Sequence, residues 1–219
     1  MTRALIVAVL FSGVAHADRT GILVGKAAEE RLASLADSAA QLEAAWRAFH
    51  PGETAPRACD GEDPVRLVDA ELDAAPGRER ALASLRWGVA LVGADGKALA
   101  WHALGGCGGE ARAGSQVTSV EAVRVRDRLD LVVRTHQVGH CGSVDDWGFF
   151  VRRGATLEPL LSVDEARDLK CGNLPQGRSR ARIELSPGRV RVFGDQLIWD
   201  YLWRNDGFVR DSASGSRTR

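Results

Sequence analysis

Apolar residues follow two different periods along this chain. Over residues 26–49, KAAEERLASLADSAAQLEAAWRAF, the positions Leu32, Leu35, Ala39, Leu42, Trp46 and Phe49 succeed one another at spacings of three and four. That is the stripe of an amphipathic α-helix, with Glu29, Glu30, Asp37 and Glu43 lying off it. The helix would run for about 36 Å at 1.5 Å per residue, and Pro51 stops it. Residues 50–85 read as a connecting region. HPGETAPRACDGEDP (50–64) is rich in proline and glycine, PVRLVDAELD (64–73) holds a short strand, and AAPGRERALASL (74–85) reads as a turn and a short helical turn.

From Trp87 onward the period changes to two. RWGVALVG and ALAWHAL flank Asp95-Gly96, and SVEAVRVR and LDLVVRT flank Asp127-Arg128. WGFFVRR and ATLEPLLSV flank Gly154, ARIEL and RVRVFG flank Ser186-Pro187-Gly188-Arg189, and LIWDYLWR and FV flank Asn205-Asp206-Gly207. Five hairpin signals in 86–210 predict an α+β protein that is mainly antiparallel β. The expected architecture is a meander forming a curved sheet, sandwich or partly open barrel, with the one N-terminal helix packed on it.

The first residues add an address. Arg3, the apolar run ALIVAVLF (4–11) and Ala15-His16-Ala17 have the three parts of a secretory signal peptide. The apolar run is far shorter than the roughly 20 residues of a membrane span. The expected mature protein is one exported domain over 18–210, periplasmic or extracellular, with DSASGSRTR (211–219) as a disordered tail. Losing Arg3 with the leader changes 29 basic against 29 acidic residues to 28 against 29. Without a basic excess a nucleic-acid role is not expected. The clusters Arg124/Arg126/Arg128 and Arg178/Arg180/Arg182 read as solvated strand faces.

Export also changes the meaning of Cys59, Cys107, Cys141 and Cys171, which are then expected to form two disulfides. A meander brings Cys107, Cys141 and Cys171 to one end of the sheet, which allows Cys107 with Cys141 or Cys141 with Cys171. No C-x-x-C pair occurs, so neither a zinc ribbon nor a thioredoxin-like site is indicated.

Candidate chemistry concentrates in THQVGHCGSVDDW (135–147). His136 and His140 with Asp145 and Asp146 could hold a metal or work as acid and base. The plainer reading is the polar end of a stapled hairpin, with His136 ending one strand, the aspartates in a loop, and Trp147 starting the next strand. A second candidate is the aromatic row Trp199, Tyr201 and Trp203, on one face of LIWDYLW, as a surface or as core. No G-x-S-x-G, H-E-x-x-H, P-loop or calcium-loop spacing is present, and no cofactor is implied. The leading expectation is a non-catalytic exported domain that binds a protein or glycan, as a monomer. The alternatives are a hydrolase or metal-binding protein built on His136/His140 with Asp145/Asp146, and an assembly protein pairing through the helix stripe.

Overall fold

The computed structural model describes residues 26–61, 63–70, 72, 79–105, 107, 114–125, 129–170, 177–194 and 197–211, without the side chains of 26–36, 169, 177, 178, 197 and 198. The leader 1–17, Cys171, the Asp127-Arg128 turn and the tail 212–219 lie outside the described residues.

Helix α1 spans Lys26–Phe49, as the stripe predicts. Eight strands then form a nearly closed curved sheet: β1 (Arg66–Ala70), β2 (Glu79–Ser84), β3 (Gly88–Val92), β4 (Ala98–His102), β5 (Gln116–Arg124), β6 (Leu129–Gly139), β7 (Gly142–Arg153) and β8 (Thr156–Leu169). Their spatial order is β1-β2-β3-β4-β8-β7-β6-β5, and a short β9 (Gly177–Arg180) extends the sheet from the far half of β8. A second sheet runs in plain order through β10 (Arg182–Ser186), β11 (Arg189–Phe193), β12 (Leu197–Arg204) and β13 (Gly207–Arg210).

All five hairpins expected from the sequence form. Local turn chemistry explains much of this. In the β3–β4 turn Asp95 Oδ1 accepts a hydrogen bond from the Lys97 amide at 3.0 Å, while Gly96 has φ +79°. Asn205 and Asp206, with φ of 48° and 69°, make the two-residue β12–β13 turn of the type that matches strand twist.

Three features depart from the expected pattern. Residues 79–84 are a strand, not a helical turn. Ala81 and Ala83 face the inside of the curved sheet and Leu82 the helix, so both faces are buried and no alternation survives to mark a strand. The meander is also interrupted, because β8 lies beside β4 through a parallel pairing of Trp101 with Thr156. Finally, the buried helix stripe passes through Ser38, Leu42, Ala45 and Trp46, leaving Ala39 exposed.

The inside of the curved sheet is filled by residues from β2 to β8, among them Leu91, Val117, Leu131, Val133, Phe150 and Leu157. Its two edges, β1 and β5, approach without backbone pairing. The Arg66 guanidinium spans the gap, its Nε donating to the Val117 carbonyl at 3.1 Å, and burial lowers its pKa.

The outer surface is covered twice. Over β2, β3 and β4, Leu42, Ala45 and Trp46 of α1 pack on Val65, Leu82, Trp87, Ala90 and Val92. Over β6, β7 and β8, the small sheet packs Val190 and Val192 on Val132, Trp147, Phe149 and Val163. One disulfide joins Cys59, after the helix, to Cys107, after β4, with Cα atoms 4.7 Å apart. This bridge excludes the pairing of Cys107 with Cys141. Within the described residues no helix is long and apolar enough to cross a membrane.

Candidate functional site: a cleft between the two sheets

Strand alternation decides which side chains reach this cleft. On β6, Leu131 and Val133 point inside the curved sheet, so Val132, Arg134 and His136 point out. On β7, Phe149 and Trp147 point out with Asp145, and on β8 Val163 does so with Glu165. The small sheet covers the apolar part of this face and stops short of the polar part. What it leaves is an open cleft of about 530 Å3, floored by Arg134, Trp147 and Glu165 and rimmed by Arg180, Arg182 and Phe193.

The floor is a cross-strand network. The Arg134 guanidinium lies 3.7 Å from the centre of the Trp147 ring, its partner in the β6–β7 register. Its terminal nitrogen also pairs with Glu121 on β5 at 3.2 Å. The Trp147 indole N–H donates to Glu165 Oε2 at 2.7 Å. The Ala181 amide, between β9 and β10, donates to the Glu165 carbonyl at 2.6 Å and so fixes the rim to the floor. One donor stays unused: Arg134 Nε is buried with no hydrogen-bond partner.

Next to this floor, His136 Nδ1 and Asp145 Oδ1 are 2.6 Å apart and are register partners. The stretch 135–147 is thus not a loop between strands. β6 continues to Gly139 and β7 starts at Gly142, so only His140 and Cys141 form the turn. Neither aspartate lies in a loop, and Trp147 is well inside its strand.

The four proposed donors do not gather. Residues i and i+4 on a strand are about 13 Å apart, against one turn on a helix, and His140 sits exposed at the turn. Asp146 neighbours Asp145 and points the other way, accepting a bond from Ser162 Oγ at 2.8 Å. Burial raises its carboxyl pKa, against the lowering effect of the Ser162 hydrogen bond. Among the described residues only Cys59, Asp63 and Cys107 gather three metal-ligand atoms. Both of those sulfurs belong to the disulfide, and Asp63 is occupied by the Leu85 and Arg86 amides, each at 2.9 Å.

The aromatic row is also spent on packing. Trp199 and Tyr201 pack against the core between the sheets. Arg210 lies 3.5 Å over the Trp199 ring, and Trp203 meets Phe208 edge to face at 5.3 Å.

Sequence reasoning passed over Arg134 and Glu165 as site residues and assigned Arg180 and Arg182 to a solvated face. One signal was readable for Arg134: it continues the outward row of Val132, where a covered face would take another apolar residue. The chain matches no protein-family model, no curated protein and no solved structure.

Proposed function

We propose that this protein is an exported, non-catalytic binding domain, and that the cleft between its two sheets is the binding surface for a protein or glycan. The observation that carries this reading is an open cleft of about 530 Å3 between the two sheets, whose floor and rim gather the guanidinium groups of Arg134, Arg180 and Arg182. Export rests on the leader at 1–17 and is supported by the disulfide, a bond that persists in oxidising compartments.

The same reading expects a second bridge, Cys141 to Cys171. Gly142 pairs with Leu169 in the β7–β8 register, and the Lys170 amide donates to the Cys141 carbonyl at 2.8 Å. The chain therefore passes beside Cys141 one residue before Cys171. Protein exported through a bacterial periplasm should begin at Asp18 and weigh about four hydrogens less than its reduced form. Free thiols at Cys141 and Cys171 would remove the second bridge.

A hydrolase reading has one observation in its favour, the 2.6 Å contact of His136 with Asp145. Among the described residues no serine, threonine or cysteine side chain is bonded to His136, so this pair lacks a protein nucleophile and would have to activate water. A panel of glycans and peptides separates the readings. Binding is expected to shift the Trp147 indole N–H resonance without turnover. Product formation abolished by His136→Ala in a folded variant would reverse the assignment.

A further inference from the structure

Aromatic rings bind neutral sugars by offering a bare face, and here four rings, both of those lining the cleft among them, lie under guanidinium groups. Arg134 covers Trp147 at 3.7 Å, Arg210 covers Trp199 at 3.5 Å, Arg86 covers Trp87 at 4.4 Å and Arg182 covers Phe193 at 5.0 Å. The cleft thus presents guanidinium groups where a sugar-stacking site would present rings.

An account of its donors and acceptors points the same way. Glu165 already accepts from Trp147, Glu121 from Arg134 and Ser119, and Glu184 faces Arg182 at 3.1 Å and Arg191 at 3.9 Å. The carboxylates at and around the cleft are thus engaged, whereas one exposed guanidinium is not. Exposed Arg180 has no ion pair among the described residues. Planar guanidinium donors are suited to carboxylates, which they bind in a directional, often bidentate way.

Resting on the binding-domain reading above, we infer that the cleft recognises an acidic peptide segment, with the exposed Arg180 at its rim contacting a carboxylate. The cleft's open form suits an extended chain, and the length of its floor across β6, β7 and β8 allows more than one side chain to be read.

The test is a titration of 15N-labelled protein at low salt with acetylated, amidated hexaglutamate, the Trp147 indole N–H and the Arg134 and Arg180 Nε–H serving as reporters. The uncharged hexaglutamine peptide and a trigalacturonate saccharide are titrated alongside. The expected result is saturable shifts with hexaglutamate alone, weakened about tenfold by Arg180→Ala, the scale of one charge-assisted hydrogen bond. Reversing the charge with Arg180→Glu should weaken them further, while Arg47→Ala, on the helix side, should leave them unchanged. Equal shifts with hexaglutamine, or shifts that survive Arg180→Glu, would overturn the acidic-peptide assignment and leave the cleft as a binding surface. Stronger binding of trigalacturonate would do the same in favour of an acidic glycan. If no probe moves any of the reporters, the acidic-peptide assignment fails, and failure of the full glycan and peptide panel as well would end the binding-domain reading.

Discussion

The two outer coverings of the curved sheet solve the same packing problem with different completeness. On the helix side, α1 lays Leu42, Ala45 and Trp46 on β2 to β4, and β2 and β3 are buried on both faces almost throughout. On the other side, the small sheet lays Val190 and Val192 on Phe149 and Val163, then ends before Arg134, Glu165 and His136. The first side is a core, and its residues are explained by burial alone. The second is a core that opens into a cleft, and burial does not explain the guanidinium groups of Arg134, Arg180 and Arg182 gathered there. Where a fold covers one face fully and the opposite face partly, the uncovered part is the place to look for function.

The largest expected effects test whether the two coverings are equally structural. Trp46→Ala on the helix side and Phe149→Ala under the small sheet should each lower stability by about 3–5 kcal/mol in urea denaturation. A much smaller cost for Trp46→Ala would mean that the helix is an accessory to the sheet and not part of its core.

Removing the Cys59–Cys107 bridge with paired serine substitutions releases a separation of 48 residues. The expected loss is about 4 kcal/mol in the chain-entropy model, read from the same denaturation curves. An unchanged midpoint would show that packing alone holds the helix connector in place.

Acid should then distinguish two carboxylates. The Arg189 hydrogen bonds hold the buried Asp200 carboxyl below its ordinary pKa. Its stabilising contribution is therefore present above the ordinary carboxylate range and lost as pH falls through the lowered folded value. Asp146, raised chiefly by burial, has the opposite sign, its carboxyl favouring the folded state as pH falls. Stability measured from pH 7 downward should decline less in Asp200→Asn and more in Asp146→Asn, each relative to the parent. The reverse order would contradict both assignments.

The smallest effects belong to the cleft. Arg134→Ala forfeits the stack on Trp147 and should cost about 1–2 kcal/mol. Arg180→Ala should stay within about 0.5 kcal/mol, as expected of an exposed side chain with no ion pair among the described residues. A large loss from Arg180→Ala would give it a structural role and weaken its place in recognition.

What the sequence revealed, and what it hid, follows the range of the interactions involved. The hairpins were legible because Asp95-Gly96, Pro187-Gly188 and Asn205-Asp206-Gly207 specify their turns within four residues. His136 and Asp145 were nominated from their proximity in the chain. Their pairing follows once His140-Cys141 is read as a two-residue turn, since each stands three residues outside the Gly139–Gly142 pair. The cleft was not legible. Its floor combines β6, β7 and β8 with a rim that returns after β9, and no local period encodes that meeting. β2 reads as a helical turn in the sequence because burial on both faces erases alternation, and the partner of Cys59 stays open there because it lies 48 residues away beyond β4.

The unpaired meeting of β1 and β5 bears on how the molecule reaches this shape. Arg66 and Val117, which bridge that gap, are 51 residues apart, while the five hairpins join near neighbours. Loop-closure entropy grows with separation, so local hairpins should form early and this edge-to-edge contact late. The last contact made is then also the first released. In native-state hydrogen exchange, amides of β1 and β5 facing the gap should open ahead of those between β6 and β7, making this line the protein's intrinsic point of breathing.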